Sequence, residues 1–427
     1  MQVSKVALAA LCLVGGGAAL AISAAAAQQP LAPAAARPLT LTGAERAALL
    51  ALRTAAAGPD RIAQDAALAA ARAAATGADA RYAVAHYQAE IARARGDGRM
   101  LGEAVDALVA SGLASADELP SLVANQAARA YQIGEYQRSE RLLARAVELQ
   151  PSNPALLADH AQLRSLASTA LIRNGRQAEG QAAMREAVAM LSRAIELQRA
   201  SGQIVPESWY LRALALAFDS RQAPQGIALA RSLVTYYPTP LNWRDALLSY
   251  RQLAAPDPAL DLDVRRLLRA ADALSGERDY LELAQALRAA NPSEAKAVLD
   301  EGVSRGMLDP AEAQVRSAIT AATRPATTER TGLARARTQA MAAATGGAAR
   351  GAGDAHFGNG QYAEAVELYR AALQKGGEDT NLVNTRLGAA LALAGRRAEA
   401  EAAFRSVTGP RADLAGFWLA WLARRPA

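Results

Sequence analysis

Cysteine is almost missing from this chain: Cys12 is the only one in 427 residues. It lies in the first, apolar segment, so the rest of the chain has no disulfide and no thiolate chemistry. Aromatic residues reach only 4%, which argues against an all-β protein built on aromatic and β-branched strands. Three histidines, His86, His160 and His356, stand far apart, without the spacing a metal site needs. Lysine is nearly as rare. Only Lys5, Lys296 and Lys375 occur, none placed to serve a phosphate loop, and Gly-x4-Gly-Lys-Ser/Thr is missing. Gly96-Asp97-Gly98 reads as a turn, because no strand precedes it and Gly102 comes one residue late for a dinucleotide fingerprint. No cofactor is expected.

What is present is alanine, leucine and arginine. Hydrophobic residues make up 52% and charged residues 21%, and mean hydropathy is −0.01. That balance excludes a multispan membrane protein and a wholly disordered chain. Alanine and leucine favour helix. The net charge of +6 comes from 47 basic and 41 acidic residues. Arg and Glu alternate along helical stretches such as Arg138-Ser139-Glu140-Arg141, a solvated pattern and not a nucleic-acid stripe.

The first segment has the layout of a secretory signal. Lys5 marks a short positive region, Val6 to Ala27 carries no charge, and Ser23-Ala24-Ala25-Ala26-Ala27-Gln28 offers small-x-small cleavage sites. Cleavage after Ala27 is expected, which places the remainder in the periplasm. Membrane contact is then confined to this signal, should it stay uncut. Cys12 follows Leu11 with most of the apolar run still to come, which does not match a lipidation site. Residues 28–43 contain Pro30, Pro33 and Pro38 among alanines and read as an extended linker.

From Ala44 the apolar residues recur three or four apart, with breaks at Gly, Pro, Asn or Asp. Internal repetition is the strongest signal. Gly360-Gln361-Tyr362-Ala363-Glu364-Ala365 and the following Tyr369 are matched in form by Gly395-Arg396-Arg397-Ala398-Glu399-Ala400 and Phe404. The glycines are 35 residues apart, and Leu387-Gly388-Ala389-Ala390-Leu391 precedes the second. This pattern resembles the tetratricopeptide repeat, a helix–turn–helix unit of about 34 residues. Two further units fit, 120–153 around Gly134 and 207–240 around Trp209 and Ala230, though Arg221 replaces the turn glycine in the latter. Between them each arm of one pair is longer by about seven residues, or two helical turns. A protruding hairpin is therefore expected at 154–200.

The resulting expectation is an all-α chain, a right-handed superhelix of helix–turn–helix repeats. Its predicted parts are a signal at 1–27, a linker at 28–43, a repeat array at 44–320, a flexible join at 321–343 and a C-terminal repeat pair at 344–427. The join is expected because Pro325 and four threonines, Thr323, Thr327, Thr328 and Thr331, weaken helix there.

The resemblance implies a concave groove lined by the first helix of each repeat. Its expected lining includes Asn125, Tyr131, Leu211, Phe218, Arg350, Asp354, Phe357 and Thr385. The family's Lys/Asn carboxylate clamp is not reproduced. The implied function is a non-catalytic scaffold for a protein or peptide partner, in envelope assembly or polysaccharide export. Two rival readings differ in class. Glu207-Ser208 matches the catalytic pair of superhelical lytic transglycosylases, but their Gly-Leu-Met-Gln run is missing downstream. A purely structural envelope tether is the other.

Overall fold

The computed structural model describes residues 38–424, so the signal segment and residues 28–37 lie outside it. The described chain is all-α, twenty α-helices joined by short turns and one 3₁₀ turn. It divides into two compact units, one ending at Ser220 and one beginning at Arg221.

The first unit holds α1 (Gly43–Ala56), α2 (Arg61–Ala74), α3 (Ala78–Arg95), α4 (Gly98–Ala110), α5 (Leu119–Gln132), α6 (Tyr136–Leu149), α7 (Pro154–Arg173), α8 (Gln177–Ala200) and α9 (Glu207–Asp219). The second holds α10 (Ala223–Tyr236), α11 (Pro240–Ala254), α12 (Pro258–Ala270), α13 (Gly276–Leu287), α14 (Pro292–Ser304), α15 (Ala313–Ala342), α16 (Gly346–Gly358), α17 (Tyr362–Lys375), α18 (Thr380–Leu393), α19 (Arg397–Arg405), the 3₁₀ turn Gly409–Arg411 and α20 (Ala412–Leu422).

Local chemistry sets the starts and stops. Asp60, Asp97, Asn153, Asp257 and Asp379 each accept backbone N–H bonds at a helix start, satisfying donors the helix itself cannot pair. Proline occupies the first position of α7, α11, α12 and α14, where its missing N–H does no harm. Within several hairpins the chain turns at a left-handed glycine, among them Gly134, Gly175, Gly360 and Gly395 at φ 74–81°. After each, the next N–H reaches back to a carbonyl of the last helical turn, as from Glu135 to Ala130 at 2.8 Å. This left-handed stop is open to glycine at little cost. Thr42 and Glu45 form a capping box, and Glu45 also accepts from Thr76 and Gly77. Those bonds hold its carboxyl at about 2. They tie the start of α1, with Thr40 donating to Asp79, so residues 38–43 are anchored and do not continue the expected linker.

Paired helices approach through small residues. A Cβ on Gly353 would lie 2.8 Å from the Tyr369 ring, and one on Gly388 would lie 2.6 Å from the Phe404 ring. The two contacts repeat at the 35-residue spacing seen in the sequence, so the glycine–aromatic pairs are the physical content of the repeat.

Two expectations need correction. Residues 321–343 form no flexible join: 321–342 lie within the 30-residue α15, which runs through Pro325, and Ala343 is its C-cap. The stripe Val315, Ala322, Ala326, Leu333 and Ala340 is buried along one side of it, and that packing outweighs the weak intrinsic propensity. The division between compact units falls at 220/221, inside the expected repeat 207–240, and not at 321–343. The reason is that α20 returns to pack on α10, which joins the C-terminal repeats to the residues from Arg221 onward.

Candidate functional site

The second unit closes on itself. Phe417 of α20 sits 5.5 Å from Tyr250 and 6.5 Å from Trp243 in ring-centroid distance, both on α11. Trp421 Nε1 donates to the Ala270 carbonyl at the end of α12, and Trp418 stacks on Phe404 at 5.7 Å.

Closure brings charges of distant sequence together at the centre. The Asp263 carboxylate of α12 accepts from Arg266 at 3.1 Å, Arg386 at 3.1 Å and Arg411 at 2.7 Å. Arg386 donates on to Asp354 at 2.7 Å, which also takes the Tyr369 hydroxyl at 2.8 Å. Arg266 grips Glu294 and lies 5.0 Å over the Phe357 ring. All of these side chains are buried. Burial alone would raise the Asp263 pKa, but Arg386, Arg266 and Arg411 hold it below the ordinary value. Burial and then Asp354 push the Tyr369 phenol well up.

This centre corrects half of the expected groove. Asp354, Phe357 and Thr385 are buried in it, and half-buried Arg350 is bound to Glu378 and Asp354. The void among Asp263, Arg266, Phe357, Thr385, Arg386, Ala389 and Trp418 is about 10 Å³, about one water probe. No peptide fits. Phe357 also lines a separate opening of about 390 Å³, together with Arg269, Asn359 and Tyr362.

In the first unit, Asn125 is buried and donates to Ser121 of its own helix. Leu211 and Phe218 are half-buried on α9 and line none of the cleft described next. Tyr131 is the expected residue of this unit that lines an open site. The helices of α7 and α8, 20 and 24 residues, are longer than the 14-residue α5 and α6 beside them. Arg164 of α7 pairs with Glu140 of α6 at 2.9 Å, which fixes the register. Past Arg164, α7 runs nine residues to Arg173, whereas α6 has only four left back to Tyr136. The hairpin thus oversteps the α5–α6 turn by about five residues, roughly 7 Å. Ser168 Oγ donates to the Gly180 carbonyl at 2.8 Å and clamps the two long arms together. A Cβ on Gly180 would strike Ile172 at 2.5 Å, so glycine is required for that approach.

Beneath the step lies a cleft of about 930 Å³. Tyr131 and Tyr136 form its base, edge to face with centroids 5.3 Å apart. Leu163, Leu166, Ala167, Ala170 and Leu171 form the wall from α7. Tyr136 and Leu166 are exposed, as is nearby Ile133, so large apolar groups face solvent at one place. Burial pushes the Tyr131 phenol up, with Tyr136 adding to it. Tyr131, expected on the groove side of the repeats, lines this cleft; Tyr136, which follows the left-handed Gly134 turn, is not among the expected residues.

Nothing in the described residues gathers three or more His, Cys, Asp or Glu side chains around a metal position. Glu207 is the first residue of α9 and half-buried, with Ser208 exposed beside it. No described helix is long and apolar enough to cross a membrane.

No protein-family model matches the chain, and no curated protein matches it significantly. Among solved structures it is similar to Naa15/Naa10 bound to HypK-THB, at 12% identity over 86% of this chain and 63% of that one, TM-score 0.31. It is also similar to the pentatricopeptide repeat protein PPR10 from maize, at 11% identity over 89% and 61%, TM-score 0.30. A third is the APC/C hetero-tetramer Cut9-Hcn1, at 12% identity over 89% and 90%, TM-score 0.21. The chain spans 63% and 61% of the lengths of the first two. At such values the likeness carries no argument about activity. What the chain shows by itself is an all-α fold of tetratricopeptide-like helical hairpins.

Proposed function

We propose that this protein is a non-catalytic helical-repeat scaffold that holds a protein or peptide partner, and that the stepped cleft of the first unit is where it does so. The observation that carries the reading is the pair of tyrosines and the leucine wall open beneath the α7–α8 overhang. Exposed apolar groups gathered in one concavity mark a binding site, whereas single exposed ones are ordinary surface. The second unit holds smaller openings, of about 420 and 390 Å³, and its buried charged centre leaves about 10 Å³.

The partner belongs to the cell envelope in this reading, in assembly or export machinery. Support comes from residues 1–27, with Lys5 ahead of an uncharged run and small residues at Ala25–Ala27. Cell fractionation tests the address: the mature chain should appear in the periplasmic fraction, and a cytoplasmic product that keeps residues 1–27 would overturn it.

The binding reading is tested by in-cell photo-crosslinking with the probe at position 136 and, as a comparison, at 357. One dominant envelope protein captured at 136, with background only at 357, is the expected result. Capture at 357 with none at 136 would move the site to the second unit and sink the reading.

A further inference from the structure

The charges around the cleft are paired among themselves, with one exception. Arg164 bridges Glu140 at 2.9 Å and Glu186 at 2.7 Å, so both acids and the base are engaged. Arg176 binds Glu179 at 2.5 Å across one turn of α8. Arg141 also lines the cleft, one residue after Glu140 on α6. Its side chain is exposed, and among the described residues no carboxylate lies within ion-pair distance of it. The cleft therefore offers a neutral, largely apolar floor with a single uncompensated cation at its edge.

From that pattern we infer that the occupant is an apolar peptide segment carrying a carboxylate, supplied by a partner protein. Its apolar side chains rest on Tyr131, Tyr136 and Leu166, and its acid meets Arg141. This deepens the reading of the cleft as a partner site and rests on it. A cation beside an apolar surface selects its ligand in two ways: it attracts the acid, and it rejects a ligand that brings a base against it. The same charge logic disfavours the chain's own N-terminal segment. Residues 28–37 contain Pro30-Leu31-Ala32-Pro33, a pattern that suits tyrosine-lined grooves. Residues 1–37 contain no Asp or Glu, however, and Arg37 would add a second cation. The site also differs in place from a groove along the first helices of the repeats, because it lies at the turn edge of α5–α6 and exists only where α7 and α8 run long.

The test uses the full-length protein and a random twelve-residue peptide library displayed on phage. Selected peptides should combine large apolar residues with Asp or Glu. Synthetic copies should lose binding about tenfold or more on Arg141→Glu, and regain it when their acid is changed to Lys. Arg145→Glu is the control, one turn further along α6, exposed and outside the cleft; it should leave affinity within about twofold. Tyr136→Ala should abolish selection. Peptides that depend on Tyr136 but show no preference for an acid, or are indifferent to Arg141→Glu, would overturn this inference and leave the cleft reading standing. No enrichment over an unrelated protein, with helicity intact by circular dichroism, would sink both. A peptide of residues 28–37 that binds and competes with the selected ones would overturn the choice of a partner in favour of the chain's own tail.

Discussion

At the scale of single residues, the backbone marks where the repeat pattern was broken. Arg221 stands where several other hairpins turn on glycine, and it takes the same left-handed conformation at φ 54°. A side chain there costs about 1–2 kcal/mol from the clash of Cβ with the following carbonyl. Glycine removes that cost but returns about 0.5–1 kcal/mol of extra chain entropy to the unfolded state. The clash is the larger effect, so Arg221→Gly should raise stability by about 0.5–1 kcal/mol, read from the denaturant midpoint. Arg221→Ala keeps the Cβ and should bring no such gain. A midpoint raised equally by both would show that the arginine side chain, and not the backbone, is the source of strain. The substitution is visible in the sequence as a missing glycine because the turn geometry is local and repeats along the chain.

At the scale of the element, α15 shows where local propensity misleads. Pro325 removes one N–H from the helix, leaving the exposed Ala321 carbonyl to water. Thr323, Thr327 and Thr328 turn their hydroxyls back onto carbonyls of their own helix, as from Thr323 to Ile319 at 2.7 Å. Read alone, these residues describe a break. What holds the helix is tertiary: the buried stripe from Val315 to Ala340, and Ser293 of α14, whose hydroxyl donates to the Ala326 carbonyl while its N–H donates to Glu329. Ser293 lies far from Pro325 in sequence, and what the stripe packs against lies outside the segment, so this support could not be read from the segment alone. Pro325 is exposed, so Pro325→Ala disturbs no packing. A helical defect of about 3 kcal/mol, less about 1 for the freer unfolded chain, predicts stabilisation of about 2 kcal/mol. Thermal unfolding of the variant checks this, and an unchanged midpoint would mean that α15 already absorbs the proline without strain. The α7–α8 hairpin is the opposite case. Its length was legible because both arms lengthen together around Gly175. Gly180→Val should push Ile172 away, tilt the overhang, and weaken peptide binding in the cleft more than it lowers the midpoint.

At the scale of the molecule, the two units have different acid sensitivities. In the second, Asp263 is held below its ordinary pKa by three guanidinium groups despite its burial. A depressed carboxylate stabilises the fold fully above the unfolded value near 3.9 and loses that contribution as pH falls through the folded value. Removing it altogether leaves Arg266, Arg386 and Arg411 without their shared anion, so Asp263→Ala should destabilise by about 3–5 kcal/mol. The sequence hid this centre because Asp263 and Arg386 are 123 positions apart and meet only when α20 closes the unit. In the first unit the sensitive group is His160, which burial holds below its ordinary value and whose Nδ1 has no hydrogen-bond partner. As pH falls through about 6.5 the unfolded chain takes up a proton that the folded chain resists, so stability declines there and stops declining only below the folded value. The first unit should therefore weaken between pH 7 and 5.5, while the Asp263 contribution in the second persists to about pH 4. Tryptophan separates the two, since Trp209 reports the first unit and Trp243, Trp418 and Trp421 report the second. In urea titrations on variants keeping only Trp209 or only Trp243, the Trp209 midpoint should drop over that interval. His160→Gln should remove most of that drop, because the replacement carries no titrating group. A Trp209 midpoint unmoved between pH 7 and 5.5 would mean that His160 accepts its proton inside the folded unit, and that the first unit opens there enough to hydrate it.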